Sequence, residues 1–406
     1  MHALLGIFYS STSWKFYHSV LVLSVVLTNF FAVTMVSFGV VDRFVLLYLS
    51  LYLMFSFVYV TVLKGYYTVY SKRIKQISLF IASLCLLSFP RLLDFNLHFA
   101  AIAYICALSM TTGLVDMSLS KCNWAVEQAS KQKGFTSLYT LSISSFVCAI
   151  LIACAFPLFG MFADVDVSVF VYLVAVFLIL VGIFMAGCSD KEQSKVTSRF
   201  RHSITKRDWQ YLVLSPIYSS IVFLGRLYIL PLYFVGAATH YGFDEGVFGY
   251  LGVFLGIVIV IALCSKPLSS CLGFKSRAVM LFGFVIGISA WICMAALSQY
   301  EYSFANLSAF VVCYVLFDLS ANFWNGGYMA SLSDLSIQNS KSEEDRSQLH
   351  TFFITFNAQI TRLSISCFFL IYFFFYDFFR PEYLVCFFGF IALLYACYFF
   401  EKTKPE

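Results

Sequence analysis

Apolar runs of about 20 residues, the length that carries a helix across the hydrocarbon core of a bilayer, follow one another along nearly the whole chain. They lie near 17–40, 44–63, 76–92, 95–120, 134–157, 167–187, 211–236, 246–265, 277–298, 304–333, 350–376 and 382–400. Within lipid, backbone N–H and C=O groups must be satisfied inside each segment, so runs of this kind fold as helices. The expectation is an all-α integral membrane protein with about twelve transmembrane helices. Composition agrees: 61% of residues are hydrophobic and 12% charged, against roughly 25% charged in a soluble domain. The third run, bounded by Lys75 and Arg91, is short, and only Asp377, Arg380, Pro381 and Glu382 part the eleventh from the twelfth. Eleven spans is therefore the neighbouring count. The first run is longer than a signal-peptide core and no small-residue cleavage site follows it, so it is expected to remain as a helix.

Charge alternation tests the count independently, because loops on the cytoplasmic side carry the excess of Lys and Arg. With twelve spans and a cytoplasmic N terminus, every Lys and Arg outside the spans falls on the cytoplasmic side except Arg43, Arg91 and Arg380. Both termini are expected in the cytoplasm, with the protein in the plasma membrane or an organelle membrane. The net charge of +5 then reflects attraction to an anionic leaflet. No basic patch is interleaved with the 48 Phe and 26 Tyr, so nucleic acid is not an expected partner.

One polar stretch interrupts the pattern. Between Cys188 and Trp209 stand Asp190, Lys191, Glu192, Lys195, Arg199, Arg201, Lys206, Arg207 and Asp208 with several Ser, a composition that cannot bury a core. It divides the chain into a six-helix bundle at 1–187, a cytoplasmic linker at 188–210 and a second six-helix bundle at 211–406.

The 13 Cys lie mostly in or beside spans, without a C-x-x-C, and read as buried apolar thiols. The six His have no metal-ligand spacing. There is no H-E-x-x-H and no Gly-flanked nucleophilic Ser, so neither an enzyme, a metal nor a cofactor is expected. The Asn306-Leu307-Ser308 sequon abuts the tenth run and reads as unused. Gly283 with Gly287, and Gly249 with Gly252 and Gly256, read as places where helix backbones approach closely.

Function is argued from charges where charge is expensive. A charged side chain at a bilayer centre costs on the order of 3 kcal/mol even on lenient scales, so such groups usually face a partner or a watery cavity. Arg226, Asp318 and Arg362 each lie near the middle of a run. Polar residues also recur at helical spacing: Tyr314, Asp318, Asn322 and Asn325 in the tenth run, Thr112, Asp116 and Ser120 in the fourth, Thr355, Gln359, Arg362 and Ser366 in the eleventh. Asn29 stands in the first run. The candidate solute-binding or gating residues are thus Asn29, Asp116, Arg226, Asp318, Asn322, Asn325, Gln359 and Arg362. Two readings remain open, since Asp318 with Arg226 or Arg362 is also a suitable structural ion pair.

Two six-helix halves around a midplane site resemble the major facilitator superfamily. Gly273, Lys275 and Arg277 after the eighth run are similar to its basic loop, as are Gly65, Lys72 and Arg73 after the second, with Val69 where that family has Asp. In that superfamily the first, fourth, seventh and tenth helices line the cavity, which here implies Asn29, Asp116, Arg226 and Asp318. Asn29-Phe30-Phe31 followed by Phe38 resembles the first-helix motif of the equilibrative nucleoside transporters, with Thr28 in place of its Trp. Trp324-Asn325-Gly326-Gly327-Tyr328-Met329-Ala330-Ser331-Leu332 resembles that family's tenth-helix ending, and Phe352-Phe353 fits the next helix. The resemblance implies a transporter working by alternating access, passive or coupled to a proton or other cation. A nucleoside or nucleobase is the first solute expected, and an amino acid or sugar the alternative. The expected partners are that small solute, the bilayer and the coupling ion.

Overall fold

The computed structural model describes residues 16, 17, 19–21, 23, 24, 27, 28, 31, 42–130, 167–184, 205, 209, 212–229, 233, 276–298, 300, 301, 303–339, 343–378, 390, 393, 394, 397 and 398. Among these there is helix and no strand. The elements are α1 (Asp42–Phe95), α2 (Leu97–Ser130), α3 (Val167–Phe184), α4 (Leu214–Leu224) leading into a π-helical turn (Gly225–Ile229), α5 (Ser276–Leu297), α6 (Phe304–Asn339) and α7 (Glu343–Phe374). Six segments are long and apolar enough to cross a membrane: Arg43–Lys64, Tyr70–Phe95, Leu97–Ser118, Ala278–Leu297, Ala305–Asn325 and Phe352–Phe374. They fit a multi-pass membrane protein and coincide with the second, third, fourth, ninth, tenth and eleventh runs of the sequence. The fifth and eighth runs, the glycines at 249, 252 and 256, and nearly all of the linker lie outside the described residues.

α1 carries two spans in one helical stretch. Only Tyr70, at φ −115° and ψ 31°, leaves helical geometry, so the basic turn expected from Gly65 to Arg73 is helical on either side of a kink. The chain nevertheless doubles back there, because the Tyr59 hydroxyl donates to Ser78 Oγ across the kink. A straight helix would hold those residues about 28 Å apart at its 1.5 Å rise. The third span is not short either. It takes in 26 residues, with Arg91 inside it, and Lys75 is buried with its ammonium 4.7 Å from the centre of the Phe16 ring. A long stem that lays its apolar part against the protein lets a lysine stand within a span. Pro90 also sits inside the helix.

Asn96 alone joins α1 to α2. Its amide bonds back to the Leu92 carbonyl at 2.7 Å, while its side-chain oxygen accepts the His98 amide at 2.8 Å. It thereby ends one helix and caps the next. Tyr104 of α2 then anchors the first span, donating to the Leu27 carbonyl at 2.9 Å and stacking on Phe31 at 5.4 Å. α3 packs on α1 through a stripe of Val171, Val174, Ala175, Leu178 and Val181, leaving Leu173, Phe177 and Ile183 exposed. A helix apolar on both faces suits a lipid surround.

In the second half, α5 and α6 meet at Gly283 and Gly287, as their spacing implied. A Cβ on Gly283 would stand 2.7 Å from the Ser320 carbonyl and 2.8 Å from the Trp324 amide, which leaves room only for glycine. Ser303 caps α6, its hydroxyl accepting the Asn306 amide at 3.1 Å. Asn306 in turn spends its side-chain amide on the Glu301 carbonyl at 2.9 Å. α6 runs on to Asn339, so the Trp324–Leu332 motif lies within a helix and does not end one. Within it Trp324 stacks between Tyr218 of α4, at 4.6 Å, and Tyr328, at 5.0 Å.

The charge alternation makes a prediction for the Tyr70–Phe95 span, whose ends carry the exposed residues Lys72 and Asp94. In a background cleared of reactive native thiols, Asp94→Cys should be labelled by an impermeant maleimide applied outside cells. Lys72→Cys should be labelled only after permeabilisation, and the reverse pattern would invert the topology.

Candidate functional site

Helices from early and late in the chain meet along α7. This helix packs against α1 and α2 on one side and against α4 and α6 on the other. Its contacts with the first segment of α1 run antiparallel. At one end the Arg43 guanidinium donates to the Phe373 carbonyl at 2.9 Å, lies 4.8 Å over the Phe373 ring and approaches Asp377 at 3.4 Å. In the middle Ser50 and Ser366 each donate to the other's backbone carbonyl at 2.9 Å, their hydroxyl oxygens 3.0 Å apart. Toward the other end the Gln359 amide reaches Thr61 Oγ1 at 3.5 Å. From Arg43 to Thr61 the seam is about 27 Å long at the helical rise, close to the roughly 30 Å of a bilayer core.

Beside this seam lies the site. Arg362 of α7 forms an ion pair with Asp116 of α2 through Nη2 and Oδ2, and both side chains are largely withdrawn from solvent, at 10% and 16% exposure. The hydroxyls of Tyr52, Thr112, Ser24, Thr28 and Ser109 are linked in a chain of contacts beside it. Tyr52 of α1 meets Thr112 Oγ1 at 3.1 Å, one turn before Asp116, and Thr112 meets Ser24 of the first span at 2.8 Å. Thr28, a turn further along that span, lies within hydrogen-bonding reach of the Tyr52 hydroxyl and donates to the Ser24 carbonyl at 2.7 Å. Ser109 donates to the Tyr52 carbonyl at 3.0 Å. Four helical segments thus contribute to one polar cluster.

The chemistry follows from the donor set. The carboxylate offsets the guanidinium charge, which neither could carry alone at this depth. Arg362 Nη1 has no hydrogen-bond partner, so a donor remains beyond what Asp116 uses. The hydroxyls can donate or accept. The set can both donate to and accept from a polar group that reaches it.

Of the residues named from the sequence, Asp116 and Arg362 are brought together, whereas the sequence reading pairs Arg362 with Asp318. Asp318 is buried in α6 at 3% exposure, near Tyr314 on the same face. Gln359 stands on the seam and Asn325 is half-buried in α6. Arg226 falls in the π-helical turn that begins at Gly225, where a Cβ would stand 2.6 Å from Trp291. Such turns recur at functional sites. The side chains of Arg226 and Asn322, and the whole of Asn29, lie outside the described residues. Sequence reasoning did not single out Ser24, Tyr52 or Ser109 as members of the cluster.

No protein-family model matches this chain, and a sequence search of curated proteins finds no match. The functional reading therefore rests on the geometry and on the motif resemblance.

Removing one partner of a buried ion pair leaves an uncompensated charge and costs about 3–5 kcal/mol. Asp116→Asn and Arg362→Gln should each lower the thermal midpoint of the detergent-solubilised protein, and the exchange Asp116→Arg with Arg362→Asp should recover most of the loss. Equal midpoints for wild type and both single variants would show that the two charges are uncoupled.

Proposed function

We propose that this protein is a membrane transporter that moves a small polar organic solute by alternating access, with a nucleoside or nucleobase as the solute. The observation that carries the reading is the polar cluster at the junction of the halves, where Asp116 and Arg362 are held together inside apolar surroundings. Intramembrane charges at a contact between helix groups are characteristic of solute paths. The seam beside them is built from contacts that can part and reform: hydroxyl-to-carbonyl bonds, an amide-to-hydroxyl contact and an exposed ion pair at the rim. Each is worth about 1 kcal/mol or less, in keeping with an interface that must open. The hydroxyl-rich donor set, together with the Asn29 and Trp324–Leu332 resemblances, favours a nucleoside over an amino acid. In this reading twelve helices form two six-helix bundles of the major facilitator type with both termini in the cytoplasm. The Asp116–Arg362 pair loosens as the solute's own polar groups replace it.

The test is uptake. Proteoliposomes bearing the full chain should accumulate labelled adenosine or inosine saturably, with competition by unlabelled nucleosides. Saturable uptake of an amino acid indifferent to nucleosides would overturn the solute assignment. Ser50→Cys with Ser366→Cys should form a disulfide under mild oxidation, abolish uptake and recover it on reduction. Undiminished uptake by the cross-linked protein would show that the seam does not move.

A further inference from the structure

The hairpin of α5 and α6 sets two thiols side by side, on helices outside the polar cluster and independent of the solute reading. The helices run antiparallel, with Gly287 against Ser320 and the Trp291 ring 5.3 Å from that of Phe317. Two residues further along α5 stands Cys293, and the same register carries it to the turn of α6 that begins at Cys313. The two side chains are within hydrogen-bonding reach of each other. Spacing in the sequence gives no hint of this, because a reversal of the chain parts them.

The pair opens to lipid. Where the sequence reads its cysteines as buried thiols, Cys293 is exposed and Cys313 half-buried, and Ile292, Val312 and Leu316 are exposed about them. Cys293 stands four residues from the end of α5 at Leu297, about 6 Å at the helical rise, which puts its sulfur near the headgroup level. Water reaches that depth, so a thiolate can form there, and the thiolate is the form that attacks. In the orientation expected from the loop charges, the turn between α5 and α6 lies on the side where no cytosolic pool holds thiols reduced.

An oxidant that acts here must enter the acyl chains and present its reactive group near the headgroups. A lipid hydroperoxide meets both requirements, since its chain is apolar and its O–O–H group polar. Hydrogen peroxide stays mostly in water.

We infer that Cys293 and Cys313 form a redox-active pair that a lipid hydroperoxide closes to a disulfide, Cys293 attacking and Cys313 resolving. The greater exposure of Cys293 assigns it the first step. Its sulfur attacks the terminal peroxide oxygen, the O–O bond breaks, and the departing alkoxide takes up the proton that the thiol gave up, leaving a sulfenic acid and a lipid alcohol. The Cys313 sulfur then attacks the Cys293 sulfur, the S–O bond breaks, and the hydroxide leaves with the Cys313 proton as water. The two thiols lose two electrons and the hydroperoxide gains them. The bridge fixes α5 to α6 beyond their glycine contact.

The test uses the full chain, reduced beforehand, in phosphatidylcholine vesicles treated with a phosphatidylcholine hydroperoxide and then digested without reduction. Mass spectrometry should find a Cys293–Cys313 disulfide that dithiothreitol removes, and one lipid alcohol should appear for each bridge formed. Cys313→Ser should stop at a sulfenic acid on Cys293, trapped by dimedone, and Cys293→Ser should leave Cys313 a thiol. The measurement on the unmodified protein stands whether or not either variant folds. Both cysteines still open to alkylation after oxidation, or Cys293 linked to a different cysteine, would overturn the pair. A bridge formed by aqueous hydrogen peroxide and not by the lipid hydroperoxide would overturn the oxidant.

Discussion

Two serines at the centre of a helix crossing set the geometry on which the rest depends. Ser50 and Ser366 exchange hydrogen bonds with each other's backbone carbonyls, which requires the helix axes to approach as closely as small residues permit. With α1 and α7 fixed at that crossing, Arg43 comes to Phe373 and Asp377 at one rim, Thr61 comes to Gln359 toward the other, and Arg362 lies within reach of Asp116. Replacing either serine by a large apolar residue would push the helices apart and pull the guanidinium from its carboxylate. A charge pair in lipid is therefore maintained by two residues that bear no charge.

The helices were legible in the sequence because length and hydropathy alone determine what can cross a bilayer. The third span extends beyond its apolar run for a physical reason: the stem of Lys75 lies along the protein with its ammonium over Phe16. Spacing also identified the close approach at Gly283 and Gly287. Partnership was harder to read. Depth in the membrane placed Asp318 level with the arginines, but which charges meet depends on which helices adjoin, and periodicity within one helix carries no information about that. Asp116 and Arg362 were each singled out while their union was not. Nothing in the sequence marks the hydroxyls of Ser24, Tyr52 and Ser109, because a lone Ser in an apolar run usually bonds back to its own helix and a lone Tyr carries no sign of which helix its hydroxyl reaches. A usable signal was present in Thr112, which stands one turn before Asp116 and binds both Ser24 and Tyr52.

The aromatic content takes on different roles in the two halves. In the first, Tyr104 and Tyr52 use their hydroxyls to tie helices together. In the second, Tyr218, Trp324 and Tyr328 form a continuous stack that joins α4 to α6, and Tyr328 carries it on to α7 by donating to Asn357 Oδ1 at 2.9 Å. Offset stacking resists shear across the ring faces, so this half is braced where the first is clasped. The contrast leaves α7 joined to α1 and α2 through hydroxyls and an ion pair, and to α6 through a hydrogen bond from a stacked aromatic group.

Asn96 gives that asymmetry a mechanical reading. A single residue between α1 and α2, with its amide and its side-chain oxygen both engaged, leaves no slack, so the Tyr70–Phe95 segment and α2 behave as one stiff crank. Any bending between that crank and the rest of α1 is then concentrated at Tyr70, where the backbone already departs from the helix. Asp116 rides on the crank and Ser50 lies on the other side of the pivot. A small rotation at one tyrosine would therefore shift the carboxylate relative to its arginine and to the serine crossing together.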